Sequence, residues 1–258
     1  MNQDNTTTTK FSFPTETVEL PSKGLLYPTD SPLSEGKVEM KYMTAREEDI
    51  LTNVNLLKQG IAIDKVLQAL IKTPINYDDL LLCDKNAVLI SARILAYGKD
   101  YTFGYNNPNT DQEERVTIDL TQFENKEVDY SLFQNKNEFS FILPHSKNVL
   151  TFKLLTHGDS KKMDAEVKGL KKTGISGELT TRLKYQILSV NGDYEQKTIR
   201  EFVDNYLLSI DSNALRQHMA DITPDLDLKI NFTLSDGTEV KDLSLPFEID
   251  FFFPGSRL

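Results

Sequence analysis

Only one cysteine, Cys83, occurs in the 258 residues, so no internal disulfide can form and the fold must rest on its core. The absence of a second thiol suits a reducing compartment, and the apolar run Leu80–Cys83 marks the thiol as buried and structural rather than nucleophilic. Long apolar runs are missing too: Leu80–Cys83 and Val88–Ala92 fall far short of the ~20 residues that span a bilayer. The polar start Met1–Lys10 lacks the apolar stretch of a signal peptide, which predicts that the chain stays where it is made. The Asn-x-Thr sequons at Asn5 and Asn231 then carry no meaning. Positive charge is scarce, with 29 Lys and Arg against 39 Asp and Glu and a formal charge of −10. Such a surface repels nucleic-acid phosphate and anionic lipid, so neither nucleic acid nor a membrane is expected as partner. The one basic cluster, Lys161, Lys162, Lys168, Lys171 and Lys172, is interrupted by Asp164 and Glu166 and reads as the solvated face of a helix.

The signatures of catalysis are also lacking. There is no phosphate loop, dinucleotide fingerprint, nucleophile elbow or His-Glu-x-x-His zinc motif. His145, His157 and His218 are the only histidines, and their separations give no metal-ligand spacing. Glu47, Glu48 and Asp49 fall where a helix begins, and the helix dipole accounts for negative charge there. Asp78, Asp79 and Asp84, and likewise Asp221, Asp225 and Asp227, lack the oxygen-ligand loop of a calcium site. The expectation is a protein that is not an enzyme, with no catalytic residue, no metal ligand and no cofactor.

What is present, 39% hydrophobic and 26% charged residues, is enough for a real core. Residues 1–16, rich in Thr, Asn and Gln, read as a flexible tail. Pro21-Ser22-Lys23-Gly24 enforces an extended chain and a turn, and Val38, Met40 and Tyr42 alternate as in a half-buried strand. Thr44 and Glu47 are spaced as a capping box before Ile50, Leu51, Val54 and Leu57, which predict one helix ending at Gly60. A second helix is predicted over Ile63–Lys72 and a third, capped by Asp84, to Gly98. Residues 99–155 read as short strands. Helices follow from Asp159 or Ser160 to Lys172, through Leu179, Leu183, Ile187 and Val190 to Asn191-Gly192, from a Thr198/Glu201 capping box to Leu207, and from an Asp211 cap to Asp221. A hairpin about Asp236-Gly237 closes the chain. The Phe247, Phe251, Phe252, Phe253 run exceeds what a strand buried on one face requires, and reads either as a seal on the core or as an anchor for a partner.

The segments LPSKGLLYP, KYMTAREEDILTNVNLLKQGIAIDKVLQALI, DDLLLCDKNAVLISARILAYGKDY and LPFEIDFFFP resemble the baseplate hub assembly proteins of T-even-like contractile-tailed bacteriophages, from about Leu20 to Pro254. The resemblance implies a hub component or hub-assembly factor that works by protein contact. It leaves open whether the chain remains in the virion or leaves as a chaperone, including a transient chaperone of the tail tape-measure protein. A cell-wall hydrolase of the tail hub is the reading from another class. Relatives often carry two Cys-x-x-Cys knuckles suited to a zinc ribbon. Asn107 and Thr110, then Thr233 and Asp236, stand in those places here, which predicts a zinc-free module joined by side-chain hydrogen bonds.

The expected fold class is α+β: helical bundle regions with a small antiparallel, degenerate zinc-ribbon-like β module. The expected division is a tail at 1–16, a strand and three helices at 17–98, the β module at 99–157 with 226–258, and a second helical region at 158–225. Partners are expected among tail or baseplate hub proteins, with self-association open. The expected contact surfaces are the helix Thr44–Leu57 with its neighbours, the first sixteen residues and the phenylalanine terminus, with Arg46, Glu47, Asp49, Phe251, Phe252 and Phe253 as the candidate contact residues. The expected place is the host cytoplasm during assembly, with the virion baseplate as the open alternative.

Overall fold

The computed structural model describes residues 14–172, 174, 176–247 and 251–252. Residues 1–13 of the expected tail and Phe253 lie outside them, whereas Thr15 and Glu16 belong to a strand. That strand, β1 (Thr15–Glu19), pairs antiparallel with β2 (Lys37–Lys41), and the alternation read from the sequence places Val38 and Met40 inside. Between them the chain turns through Lys23 and Gly24, both at positive φ (52° and 77°). A Cβ on Gly24 would stand 2.3 Å from the Ser34 carbonyl oxygen, so this turn requires glycine.

Glu47 caps α1 (Ala45–Leu51) by accepting from the Thr44 N–H at 3.0 Å and hydroxyl at 2.6 Å. The single helix expected onward from Thr44 is two. Asn53 accepts from the backbone of Asn55 (3.0 Å) and Leu56 (3.2 Å), competing with the helical ladder, so α2 (Val54–Gln59) starts afresh. Next come α3 (Ala62–Leu70) and α4 (Leu82–Tyr97), which stops at Gly98 as predicted. Asp84 does not cap α4. It lies in the first turn, fully buried, and its carboxylate accepts from Ser22 N (2.9 Å), Ser22 Oγ (2.7 Å) and Tyr27 Oη (2.6 Å). The Tyr27 hydroxyl in turn accepts from Leu81 N at 3.0 Å. Asp84 thus fastens the Pro21–Tyr27 loop to α4, which explains why serine and tyrosine sit in that turn-forming segment.

β3 (Asp100–Asn106) and β4 (Glu113–Asp119) form one hairpin; β5 (Phe139–Ile142) and β6 (Val149–Phe152) form another. The second hairpin takes a third strand from the predicted long helix. After α5 (His157–Lys172), α6 (Glu178–Gln186) ends, and Ile187–Val190 is β7 beside β6. Ile187 and Val190 do recur at helical spacing, but β-branched residues before an Asn191-Gly192 turn suit a strand equally, and three apolar residues cannot separate the periods. Two cap readings also fail. Thr198 lies inside α7 (Gln196–Asn205) and donates to Asp193 at 2.8 Å. Asp211 lies inside α8 (Ser209–Ile222) and accepts from the backbone of His145 (2.8 Å) and Ser146 (2.9 Å). The last hairpin, β8 (Lys229–Thr233) with β9 (Glu239–Ser244), is where Asp236-Gly237 placed it.

Eight helices and small antiparallel sheets among the described residues make the protein α+β, as expected. Buried side chains from Val18 to Phe252 form one hydrophobic cluster that draws on both helical regions and on the strands between them. No helix is long and apolar enough to cross a membrane among the described residues.

Candidate functional site

The surface feature that most needs an explanation is α2. Its sequence, Val54-Asn55-Leu56-Leu57-Lys58-Gln59, carries three apolar residues in six, and none of the six is buried. A helix so short gains little from its own hydrogen bonds. It stands because both ends are closed, by the Asn53 side chain at the start and by Gly60 at φ 71° at the end. Val54 is 60% and Leu57 39% exposed, and Ile63, at the start of α3, is 41% exposed. Neighbouring apolar groups exposed on a capped turn are placed for another surface to cover.

Next to this ridge lies a cleft of about 540 Å³ bounded by Gly60 and Ile63 on one side and Arg182, Gln186 and Phe247 on others. Its lining is mostly apolar, with Leu82, Leu89, Leu154 and Leu155 contributed by α4 and the chain leading to α5. Cys83 also lines it, buried, with burial and the nearby carboxylates of Asp84 and Asp225 pushing the thiol well above its ordinary pKa. The thiol is inert, as its apolar setting predicted. Beneath the ridge, Lys85 pairs with Asp64 at 2.5 Å, and His157 lies edge-on to Tyr77 with ring centroids 4.6 Å apart. Burial holds His157 below the ordinary histidine pKa, and the Lys85 ammonium, 3.4 Å from Nδ1, acts in the same direction.

Asp225 is the unusual acid of the cleft. Its oxygens accept from Asn86 Nδ2 at 3.0 Å each and from Leu226 N at 2.8 Å, and among the described residues no cation is bonded to it. Burial is the main cause that raises its pKa to about 6. The acid clusters weighed in the sequence do not converge on an ion: Asp78 pairs with Lys161 at 2.9 Å, and no group of three His, Cys, Asp or Glu within reach of a metal occurs among the described residues.

The candidate contact residues divide. Arg46 and Asp49 are exposed on α1. Glu47 is 2% exposed, occupied with its cap and with Lys41 at 2.8 Å. Phe251 and Phe252 are buried; the Phe251 ring meets Tyr101 at 5.0 Å, Phe247 at 5.1 Å and Phe252 at 5.1 Å. In this conformation these two rings seal the core, and Phe247 is 44% exposed. The contact surface expected on the helix Thr44–Leu57 includes Val54 and Leu57 of α2; the cleft is not legible in the sequence, and Asn53 and Gly60 together signal the separate capped helix.

The hairpins β3–β4 and β8–β9 meet through their turns and rings. Asn109 donates to Asp236 (3.1 Å) and Thr238 (2.8 Å), and Glu114 accepts from Asn107 Nδ2 and Ser235 N at 2.8 Å each. Phe232 packs edge-on against Phe103 (6.0 Å) and Tyr105 (5.2 Å). Hydrogen bonds between side chains therefore join the two turns. The backbone N–H of Thr238 and the amide of Asn109 hold the Asp236 carboxyl well below its usual pKa.

The described residues thus form an α+β fold with an exposed apolar ridge beside a largely apolar cleft. The family model for the T4 bacteriophage base plate protein matches residues 14–253, and the chain belongs to that family. Its role is therefore a structural one associated with the phage baseplate. Comparison with curated proteins and with solved structures gives no significant match.

Proposed function

We propose that the chain is a baseplate hub component or hub-assembly factor, and that it docks on another tail protein through α2 and the adjoining cleft. The observation that carries this reading is a helix with three apolar residues and no buried side chain, closed by caps at both ends. A partner covering Val54, Leu57 and Ile63 would gain ~1.5–3 kcal/mol for each side chain it fully buries. Arg46 and Asp49 on the exposed face of α1 extend the contact and give it a charge pattern. The family match supports the baseplate as the setting; hub membership comes from the resemblance of the segments quoted above.

The test is complementation of a phage lacking this gene with the double variant Val54→Asp/Leu57→Asp. Both positions are exposed, so stability should change by no more than about 0.5 kcal/mol, while infectious particles should fall at least tenfold and incomplete baseplates accumulate. Normal yield from a folded variant would reject the reading. Mass spectrometry of purified virions separates the two forms of the proposal: presence marks a hub component, and absence with recovery from assembly intermediates marks a factor that leaves.

A further inference from the structure

We infer that the cleft beside α2 is a receptor for a partner segment that inserts an apolar side chain and brings a basic group to Asp225. This deepens the docking reading above and rests on it. The walls are apolar, from Ile63, Leu82, Leu89, Leu154 and Phe247, and a volume of about 540 Å³ accepts one or two large side chains. The polar groups decide what accompanies them. Lys85 and Asp64 already neutralise each other at 2.5 Å. Among the described residues Asp225 is the carboxylate of the lining whose bonded donors are neutral, from Asn86 and Leu226; the Lys126 ammonium, bonded to the Ala220 carbonyl, acts on it only through space.

The carboxylate is also firmly placed. Its backbone carbonyl accepts from Lys126 N at 2.7 Å, the next bridge joins Asn125 to Leu226, and Asp227 N donates to Glu124 O at 2.9 Å. Two neutral bonds from one amide hold the oxygens side by side, so a guanidinium or ammonium entering the cleft meets both. Burial works against ionised Asp225, and an incoming cation reverses that effect. Arg182 carries the opposite sign on the cleft wall, but it is solvent-exposed and its field is screened. A basic residue flanked by large apolar ones therefore fits better than a neutral or acidic segment.

The test uses the full chain with two small probes of the same shape, phenethylguanidinium and neutral phenethylurea, titrated by nuclear magnetic resonance or calorimetry. The guanidinium should bind at least fivefold more tightly than the urea. Asp225→Asn should remove the difference, and Arg182→Gln, which needs no buried group to change, should enlarge it. Equal binding of the two probes, no binding of either, or a preference that survives Asp225→Asn overturns the proposal. The outcome is independent of particle assembly: probes that fail while Val54→Asp/Leu57→Asp blocks assembly remove the cleft and leave the ridge. Probes that bind while that variant assembles normally do the reverse.

Discussion

Replacing Tyr27 by Phe should cost the fold about 3 kcal/mol although the ring volume is unchanged. The Tyr27 hydroxyl sits between two buried groups, donating to Asp84 Oδ2 at 2.6 Å and accepting from Leu81 N at 3.0 Å. Removing it deletes a hydrogen bond to a buried carboxyl group, typically ~0.5–3 kcal/mol, and leaves a buried N–H unpaired, ~1–3 kcal/mol more, with local relaxation recovering part. Asp84 is buried and, among the described residues, is bonded by Ser22 and Tyr27 with no cation, so Asp84→Asn, which turns one acceptor into a donor facing donors, should cost a similar amount. Because the two changes dismantle one network, the double variant should fall short of the sum by at least about 1 kcal/mol. Urea unfolding of the four proteins, followed by circular dichroism with an unchanged slope, gives these values. A Tyr27→Phe protein within about 0.5 kcal/mol of the parent would refute the view that this network fastens the Pro21–Tyr27 loop.

Asp225 gives a pH dependence. Its folded pKa is raised to about 6 against an ordinary 3.8, so the associated stability is present below the ordinary value and is lost as pH rises through 6. Two units at ~1.36 kcal/mol each, roughly halved for the solvent the cleft admits, leave ~1–2 kcal/mol. Asp225→Asn should lose this dependence, so that between pH 4 and pH 7.5 its stability falls by ~1–2 kcal/mol less than the parent's; thermal unfolding of both proteins at the two pH values checks it. In the paired turns, Asn109→Ala should cost ~1 kcal/mol by removing exposed bonds to Asp236 and Thr238. Chelators should leave the melting temperature unchanged, and one stoichiometric zinc by elemental analysis would overturn the hydrogen-bonded account of the turns.

Local chemistry was legible where it answered to local physics. The alternation of Val38 and Met40, the Thr44/Glu47 cap, the stops at Gly60 and Gly98 and the Asp236-Gly237 hairpin all depend on neighbours in sequence, and all are present. The errors fall where a short polar side chain serves a distant segment. Asp84 and Asp211 look like caps because aspartate favours helix starts, yet each holds backbone or hydroxyl donors more than 55 residues away in the chain. Ile187 and Val190 were assigned to a helix because only pairing with β6 distinguishes the two readings. The helix Thr44–Leu57 is the contact surface the sequence suggests, but Val54 and Leu57 look like core positions in a sequence, and their solvent exposure is a tertiary fact.

Hydrogen exchange over Val54–Gln59, compared between the isolated chain and assembled baseplates, tests the docking surface most directly. A two-capped helix without buried side chains should exchange quickly when free, and at least about a hundredfold more slowly once a partner covers it. Equal exchange in both states, with protection appearing elsewhere on the chain, would contradict the assignment of α2 as the contact.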